Sequence, residues 1–196
     1  DDDLSRKYGS GFNIVFAGNI SPAQSFETVV EAAGRLKNDG IDDINWIIVG
    51  DGMSRKWLED KVKAEGLQNN FFFEGFRPVT DIPKYHTIAD ALLACLVKSD
   101  LLDCTIPAKV MSYLAAGRPL LLAMDGEAQR LVNEIGCGFA GDSDDSAALY
   151  ENIKNLYNLP KEQRESRGKK GREYHFSHFE RDMNLDRLYS FVFDQA

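Results

Sequence analysis

Short apolar runs alternate with longer amphipathic segments along most of the chain. A short run rich in β-branched and aromatic residues is typical of a buried strand, and apolar residues at helical spacing are typical of a helix with one buried face. On this basis the pattern predicts strands at 12–17, 45–49, 71–73, 91–96, 120–123 and around Phe139. It predicts helices at 24–37, 54–65, 82–88, 107–116 and 127–135, followed by a helical tail.

Strands and helices that alternate in this way indicate a parallel sheet with helices on both faces. Because the crossovers are right-handed, the loops that follow strands lie at one edge of the sheet, and ligands bind at that edge. We therefore expect an α/β fold, a Rossmann-like doubly wound parallel sheet of about six strands with a helical C-terminal tail. We also expect the loop 97–106 to be irregular and the charged segment 160–171 to be exposed. The loops expected at the ligand edge are 18–25, 50–53, 75–80, 97–106 and 124–127.

The composition is that of an ordinary globular domain with an acidic balance. The 196 residues carry 23 Lys and Arg against 31 Asp and Glu, a net charge of −8, which argues against a nucleic-acid-binding surface. Three cysteines without a C-x-x-C pair and three scattered histidines predict neither a disulfide framework nor a metal site. No apolar stretch approaches the roughly 18 residues of a spanning helix. The sequence therefore favours a single acidic domain in a reducing, cytoplasmic compartment.

Two glycine turns follow the first two predicted strands. Gly18 and Asn19 come between a strand and a helix, where a glycine lets a phosphate approach the backbone and the helix N-terminus attracts it. Gly50, Asp51 and Gly52 end the second strand, and the Asp51 carboxylate could accept from a sugar hydroxyl. Both turns also have a simpler interpretation, a tight turn at Gly18 and a helix cap at Asp51. The absence of G-x-G-x-x-G argues against a nicotinamide cofactor.

A basic residue stands at the start of the helix that follows the fourth predicted strand. The segment Thr105-Ile106-Pro107-Ala108-Lys109 leads into this helix, and Lys109 falls in its first turn, where the helix dipole disfavours a cation. An anionic ligand such as a diphosphate would hold the ammonium there, whereas an exposed lysine without a role is the plainer interpretation. His86, in the preceding helix, is expected to be a surface or boundary residue.

Taken in order, these segments resemble one protein family. They run from Phe16-Ala17-Gly18-Asn19-Ile20 through Ile47-Ile48-Val49-Gly50-Asp51-Gly52 and Phe73-Glu74-Gly75 to Ile106-Pro107-Ala108-Lys109 and Tyr113-Leu114-Ala115-Ala116-Gly117-Arg118-Pro119. This order resembles the C-terminal, donor-binding domain of retaining glycosyltransferases with the GT-B fold, the group 1 or family 4 class. The resemblance extends from the first predicted strand to the tail.

The resemblance implies a site for a nucleotide-sugar donor at the ligand edge. In this family the glycine turn after the first strand lies beside the diphosphate or sugar, here Gly18 and Asn19, and the turn at Phe76 and Arg77 resembles the loop that brackets the base. The family often carries a basic residue near the next helix start. The corresponding stretch here, which includes Gln24, has no positive charge, and Lys109 would supply it instead.

Two glutamates that the family carries eight positions apart are missing from this chain. Counted back from Gly117, their positions are Ser112 and Cys104, which puts the usual contacts to the ribose and the sugar hydroxyls in doubt. Asp103 is one residue away from the first position and would substitute for it. Asp103 and Lys109 are therefore the candidate catalytic residues. The candidate donor-binding residues are Gly18, Asn19, Gln24, Gly50, Asp51, Gly52, Phe76, Arg77, Thr105, Ile106 and Ser112.

The resemblance also implies that the chain is part of a longer enzyme. Residues 1–11 would be a linker or truncation segment, 12–175 the nucleotide-sugar-binding domain, and 176–196 a terminal helix that packs back toward an N-terminal, acceptor-binding domain. The implied reaction moves a hexose or amino-deoxysugar from a UDP- or GDP-linked donor to a polysaccharide or lipid-linked acceptor. Neither a cofactor nor an obligatory metal is expected, and no nucleic-acid partner. The enzyme is expected in the bacterial cytoplasm, with peripheral association at the inner face of the membrane left open.

Two other functions stay open at this point. A nucleotide-sugar epimerase with a GT-B-like fold shares the diphosphate chemistry, but its acid and base carboxylates cannot be placed in the sequence. A non-catalytic, Rossmann-like interaction module is favoured by the missing glutamates. The retained Gly18, the Gly50–Gly52 turn and Lys109 argue against such a module.

Overall fold

Six parallel strands form one sheet in the structure, a computed structural model that describes residues 2–9 and 11–193. The strands are β1 (Phe12–Ala17), β2 (Ile44–Val49), β3 (Phe71–Gly75), β4 (Ala91–Cys95), β5 (Leu120–Ala123) and β6 (Gly138–Gly141). Their order in the sheet is β3-β2-β1-β4-β5-β6, and each neighbouring pair is parallel. This is the strand order of a doubly wound, Rossmann-like sheet, so the predicted fold class is confirmed.

Helices follow the strands on both faces of the sheet. They are α1 (Asp2–Tyr8), α2 (Phe26–Asn38), α3 (Arg55–Ala64), α4 (Ile82–Ile88), α5 (Asp100–Asp103), α6 (Ala108–Ala116), α7 (Glu127–Ile135), α8 (Ser146–Tyr157), α9 (Lys161–His178) and α10 (Arg181–Phe193). A 3-10 turn at Val79–Asp81 precedes α4. The bounds predicted for β1, α4, β5 and α7 are confirmed, and the other predicted bounds lie within two residues of those observed.

The strands are apolar because helices cover both faces of the sheet. Along β1, Ile14 and Phe16 face one hydrophobic core, to which α2, α3 and α8 contribute their buried side chains. Val15 faces the other core, which α4, α6 and α7 cover. Side chains alternate between the two faces of a strand, so a strand that is buried on both faces has an unbroken apolar sequence.

The segment 1–11 was expected to be a linker, and the structure describes a helix, α1, in most of it. Tyr8, at the end of α1, is buried, and its ring packs edge-to-face on Phe72 of β3 with 5.2 Å between the ring centroids. Asp1 and Ser10 of this segment lie outside the described residues. The division of the chain at 11 and 12 stays a prediction.

Two other segments differ from the sequence prediction. The loop 97–106 is not irregular throughout, because it contains the short helix α5. The charged segment 160–171 is not wholly exposed, because it forms most of α9, in which Gly168 and Gly171 are buried. A β-carbon at Gly168 would lie 2.2 Å from the carbonyl oxygen of Gly117, so α9 packs directly on the turn between α6 and β5. Two glycines three residues apart on a charged helix were the signal for this close approach.

The last described helix exposes its apolar side chains. α10 has no buried residue, and Leu188, Phe191 and Phe193 are 59%, 69% and 59% exposed. Isolated exposed apolar residues are ordinary, but several of them on one helix are typical of a surface that another element covers. Residues 194–196 of the predicted terminal segment lie outside the described part of the chain.

Candidate functional site

A cavity of about 650 Å³ lies at the carboxyl edge of the sheet, beside the point between β1 and β4 where the strand order reverses. The structure brings eight of the predicted site residues to its wall. These residues are Gly18, Asn19, Gly50, Asp51, Phe76, Arg77, Lys109 and Ser112. Six further residues line the same cavity and were not predicted from the sequence, namely Ala17, Val49, Val79, Ile82, His86 and Tyr113.

The two glycine turns of the cavity contact each other through their backbones. A β-carbon at Gly50 would lie 1.9 Å from the carbonyl oxygen of Gly18, closer than any side chain permits. Both residues also have a positive φ, +151° at Gly18 and +141° at Gly50, a region that residues with a side chain rarely adopt. The amide of Gly18 donates to Val49 at 2.9 Å, and the amide of Gly50 donates to Gly75 at 2.8 Å. The turns therefore extend the strand pairing, which fixes their position.

The ammonium of Lys109 lies against the Gly18 turn. A β-carbon at Gly18 would come within 3.1 Å of the Lys109 Nζ, and Nζ lies 4.1 Å from the centroid of the Phe16 ring. The Lys109 Nζ donates a hydrogen bond of 2.6 Å to the Oε1 of Gln24. Gln24 therefore joins the site through Lys109 rather than through the wall of the cavity.

The surroundings of Lys109 are unusual for a lysine. Burial lowers the pKa of its ammonium from 10.5 to about 8. Among the residues that the structure describes, no carboxylate compensates this burial by an ion pair, and the first turn of α6 has no acidic residue. A partly dehydrated cation without a counter-charge, next to a glycine turn and a helix start, is suited to bind an anion.

Tyr113 fixes α6 against the end of β1. Its hydroxyl accepts a hydrogen bond from the amide of Ala17 at 2.9 Å and donates one to the carbonyl of Ala17 at 3.3 Å. Because Tyr113 and Lys109 lie one turn apart on α6, this contact also positions Lys109. Burial raises the pKa of the Tyr113 hydroxyl, so the group keeps its proton at neutral pH.

His86 is buried, so the expectation of a surface or boundary residue is wrong. Only 9% of the residue is exposed, and its ring meets the Tyr113 ring edge-on with 5.4 Å between the centroids. Burial lowers the pKa of the imidazole to about 4, so the ring is neutral at neutral pH. A histidine in a short amphipathic helix gives no sequence signal that separates this position from an exposed one.

The predicted residues of the segment between β4 and α6 lie outside the wall of the cavity. Thr105 donates to a carbonyl of α5 at 2.9 Å, and Ile106 packs on the second core. The backbone of Asp103 lies against Gly126, where a β-carbon would come within 2.1 Å of the Asp103 carbonyl oxygen. Gly52 packs on the turn after β1. The roles predicted for these residues stay predictions.

Neither a metal-binding cluster nor a helix fit to span a bilayer occurs in the described part of the chain. There, no group of three or more His, Cys, Asp and Glu side chains could hold a metal ion. The helices within 2–9 and 11–193 lack the combination of length and apolar character that crossing a membrane requires.

The fold and the cavity place the chain among the doubly wound α/β domains, whose ligands bind at a switch point of the sheet. Residues 3–174 match the family described as "Glycosyl transferases group 1", and the chain belongs to that family. The resemblance found in the sequence is thereby confirmed. Membership of this family disfavours both the epimerase and the interaction module.

The relatives that the chain matches are named as glycosyltransferases. The chain is 30% identical over 149 residues to the 2-deoxystreptamine glucosyltransferase of Streptomyces kanamyceticus, and this match covers 67% of this chain and 38% of the relative. It is 38% identical over 63 residues to the 2-deoxystreptamine N-acetyl-D-glucosaminyltransferase of Niallia circulans, and this match covers 32% of this chain and 16% of the relative. The chain therefore spans less than half the length of these relatives.

Solved structures have the same fold as this chain. The Anabaena protein HepE, solved in complex with UDP, has a TM-score of 0.82 at 18% identity, over 100% of this chain and 52% of that one. The C-terminal domain of the group 1 family protein LpcC from Francisella tularensis has a TM-score of 0.71 at 16% identity, over 91% of this chain and 92% of that one. The fold of this chain thus corresponds to about half of HepE and to nearly all of the LpcC domain.

Proposed function

We propose that this chain is the domain that binds the nucleotide-sugar donor in a retaining glycosyltransferase. The whole enzyme would transfer a sugar from a nucleoside diphosphate to a polysaccharide or lipid-linked acceptor. The observation that carries the proposal is the half-buried ammonium of Lys109, which lies against the Gly18 turn and has no carboxylate partner among the described residues. A diphosphate at this turn supplies the negative charge that the site lacks.

Lys109 would stabilise the leaving group of the transfer. When the bond between the sugar C1 and the diphosphate oxygen breaks, the electron pair stays with the diphosphate and negative charge accumulates there. The Lys109 ammonium and the N-terminal turn of α6 place positive charge beside this position. A preformed cation in a partly dehydrated site stabilises developing charge more strongly than a cation in water does.

UDP is the nucleotide that we propose, with GDP as the second candidate. HepE was solved with UDP and with UDP-glucose, and its fold covers the whole of this chain. In the cavity, the 78% exposed ring of Phe76 and the apolar side chains of Val79 and Ile82 offer a surface on which a base can stack. Stacking does not distinguish uracil from guanine, so the comparison of UDP with GDP in the melting experiment decides between them.

Ser112 and Asp103 are the proposed polar contacts of the ribose and of the transferred sugar. The Ser112 hydroxyl lines the cavity and donates to the carbonyl of Ala108 at 3.2 Å, which leaves its own oxygen free to accept from a ribose hydroxyl. Asp103 stands on α5, in the loop between β4 and α6 at the same edge of the sheet. A hexose or an amino-deoxysugar would bring hydroxyl or amine donors to this carboxylate.

The part of the enzyme outside this chain would bind the acceptor and cover α10. The exposed apolar side chains of α10 support the expectation that the segment 176–196 packs on another domain. Transfer would then need both domains, and this chain alone is expected to bind the donor without turnover. We place the enzyme in the cytoplasm, at the inner face of the membrane where the acceptor is lipid-linked.

Stabilisation of the chain by nucleotides tests the proposal. Melting temperatures would be measured with UDP, GDP, ADP, CMP and UDP-glucose for the wild type and for Lys109→Met. A ligand at a hundred times its Kd stabilises the folded state by about 2.7 kcal/mol, which corresponds to a shift of roughly 5–10 °C for a domain of this size. We expect one nucleoside diphosphate to produce this shift in the wild type and none to produce it in Lys109→Met.

Lys56→Met is the matched control for this experiment. Lys56 is an exposed lysine of α3 that forms an ion pair with Asp60, away from the cavity. Its replacement removes the same charge and should leave the nucleotide-dependent shift unchanged. An equal shift in Lys109→Met and in the wild type, or no shift with any of the nucleotides, would contradict a donor site at Lys109.

A further inference from the structure

A buried carboxylate joins three parts of the chain beside the donor cavity. Glu74, near the end of β3, has a side chain that is only 5% exposed. Its Oε1 accepts hydrogen bonds from the Lys7 ammonium and the Tyr8 hydroxyl, both at the end of α1. Its Oε2 accepts from the Tyr85 hydroxyl of α4 at 2.7 Å and from the Arg77 guanidinium at 3.0 Å.

These donors hold Glu74 in its charged form. Burial alone would raise the pKa of the carboxyl group, but the hydrogen bonds from Lys7, Tyr8 and Tyr85 outweigh burial and lower the pKa to about 2. Burial and the bond to Glu74 raise the pKa of Tyr85 to about 12, so its hydroxyl stays a donor. Loss of any of these donors would leave the buried charge less well compensated, which is energetically costly. This cost keeps the donors in place around Glu74.

Arg77 connects this carboxylate with the donor cavity. Phe76 and Arg77 follow β3 directly, and both line the cavity. The Arg77 side chain is 43% exposed, so packing does not fix its position, whereas the ion pair with Glu74 does. A guanidinium has five N–H donors, and an arginine held through one of them keeps the others for a ligand.

α1 connects the same carboxylate with the first residues of the domain. The Tyr8 ring is buried against Phe72, so α1 lies on the sheet with two of the four Glu74 donors at its end. If α1 left the sheet, the Oε1 of Glu74 would lose both of these donors. The Glu74 carboxylate would then be left with the hydrogen bonds from Arg77 and Tyr85.

We infer that Glu74 is a positioning residue for the donor nucleotide, because it holds Arg77 at the cavity, and that the docking of α1 strengthens nucleotide binding through the same carboxylate. The inference rests on the proposed function and adds to it a residue that does not itself touch the ligand. Coupling between two equilibria is reciprocal, so a nucleotide that contacts Arg77 also stabilises α1 on the sheet.

Nucleotide affinities of variants on the two sides of Glu74 test the inference. Dissociation constants for UDP would be measured by calorimetry for the wild type, Tyr8→Phe, Arg77→Gln and the double variant. Tyr8→Phe removes one donor of α1 without changing the cavity, and should weaken UDP binding by about threefold or more. In the Arg77→Gln background the same change should have no further effect, because the connection to the cavity is already broken.

Glu74→Gln tests the carboxylate itself. An amide has a single acceptor oxygen, so it cannot accept on one side from α1 and on the other from Arg77 and Tyr85. We expect UDP binding about tenfold weaker than in the wild type. Should Glu74→Gln fail to fold, the milder Tyr8→Phe and the double variant carry the test.

Tyr157→Phe is the matched control, because the Tyr157 hydroxyl donates to Asp43 at 2.9 Å at the opposite edge of the sheet. It should change stability without changing the Kd for UDP. UDP should also slow the hydrogen exchange of α1 amides in the wild type and not in Arg77→Gln.

A purely structural Glu74 would lower the melting temperature of Tyr8→Phe and Glu74→Gln and leave their UDP affinity at the wild-type value. That result would overturn this inference and leave the proposed function standing. A wild type that binds no nucleotide would overturn both.

Discussion

The ammonium of Lys109 in α6 lies 4.1 Å from the centroid of the Phe16 ring in β1, and an amide oxygen of Gln24 is its hydrogen-bond acceptor. A cation over an aromatic ring gains about 0.5–2 kcal/mol, which is less than the hydration that a buried ammonium gives up. The pKa of Lys109 therefore falls to about 8. The structure thus maintains an incompletely compensated cation at the place where the proposed diphosphate would bind.

The affinity for UDP should fall as the pH rises above about 8. Lys109 loses its proton in the free site near this pH, whereas a bound diphosphate would hold the proton on the ammonium. The diphosphate of UDP is fully ionised in this range, because the second pKa of a phosphate is about 6. Between pH 8 and 9.5 we expect Kd to rise toward tenfold per pH unit, measured by calorimetry.

Lys109→Arg is the control for this pH dependence. An arginine stays charged throughout the range, so the Kd of this variant should change little between pH 7 and 9.5. A wild-type Kd that is constant over the same interval would show that the ammonium of Lys109 does not contact the diphosphate.

Lys109→Met should stabilise the free chain at neutral pH while abolishing its response to UDP. The pKa of Lys109 is lower in the folded chain than the 10.5 of an ordinary lysine, so the unfolded chain binds more protons between about pH 8 and 10.5. The charge of Lys109 therefore costs stability below pH 8, at most about 3 kcal/mol, and this cost disappears as the pH rises through the interval.

Urea unfolding of the wild type and of Lys109→Met at pH 7 and at pH 10 measures this cost. The gain in the variant should be largest at pH 7 and should shrink at pH 10. The other lysines titrate equally in both proteins. The difference between their free energies of unfolding therefore reports on Lys109. A variant less stable than the wild type at both values would mean that the contacts with Phe16 and Gln24 outweigh the lost hydration.

The fold was predictable because the four inner strands, β1, β2, β4 and β5, are buried on both faces. The runs Phe12–Ala17 and Leu120–Ala123 are buried almost throughout, so their short length and apolar content identify them as strands of a parallel sheet. The turns at Gly18 and Gly50 could also be recognised in the sequence. Both residues have a positive φ, which a glycine adopts readily and other residues rarely do, so a glycine directly after a strand indicates a turn. The short helix α5 was not visible, since four residues contain too little periodicity to detect.

The candidate site was predictable where a backbone feature marks it and not where packing forms it. Gly18 and Lys109 stand at a turn and a helix start, which local sequence shows. His86 and Tyr113 reach the cavity because α4 and α6 pack side by side on the second core, and that packing depends on residues far apart in the sequence. The four donors on Glu74 come from positions 7 to 85 for the same reason.

Acid should destabilise the chain partly through Glu74. Its pKa is about 2 in the folded chain against an ordinary value of 4.5, so its stabilising contribution is complete above pH 4.5 and is lost as the pH falls toward 2. At 1.36 kcal/mol per pH unit the contribution amounts to at most about 3 kcal/mol. Urea unfolding at pH 6 and pH 3 should therefore show a smaller loss in Glu74→Gln than in the wild type.

Glu134→Gln is the control for the acid experiment, since Glu134 is 60% exposed and pairs with Arg130 on the surface of α7. Exposed ion pairs contribute little to the free energy of unfolding, so this variant should lose as much stability in acid as the wild type does. If Glu74→Gln behaved in the same way, the four donors would not favour the charged form of Glu74.

Two glycine-to-alanine changes in helices should have opposite effects on stability. In α2, a β-carbon at Gly34 would meet no atom within 4 Å, so Gly34→Ala should stabilise the chain by roughly 0.5–1 kcal/mol through helix propensity. In α9, a β-carbon at Gly168 would lie 2.2 Å from the Gly117 carbonyl oxygen. Gly168→Ala should therefore push α9 away from the turn between α6 and β5 and cost roughly 1–3 kcal/mol, despite the same gain in propensity. Urea unfolding followed by circular dichroism compares the two variants, and a Gly168→Ala chain as stable as Gly34→Ala would show that α9 does not pack against Gly117 in solution.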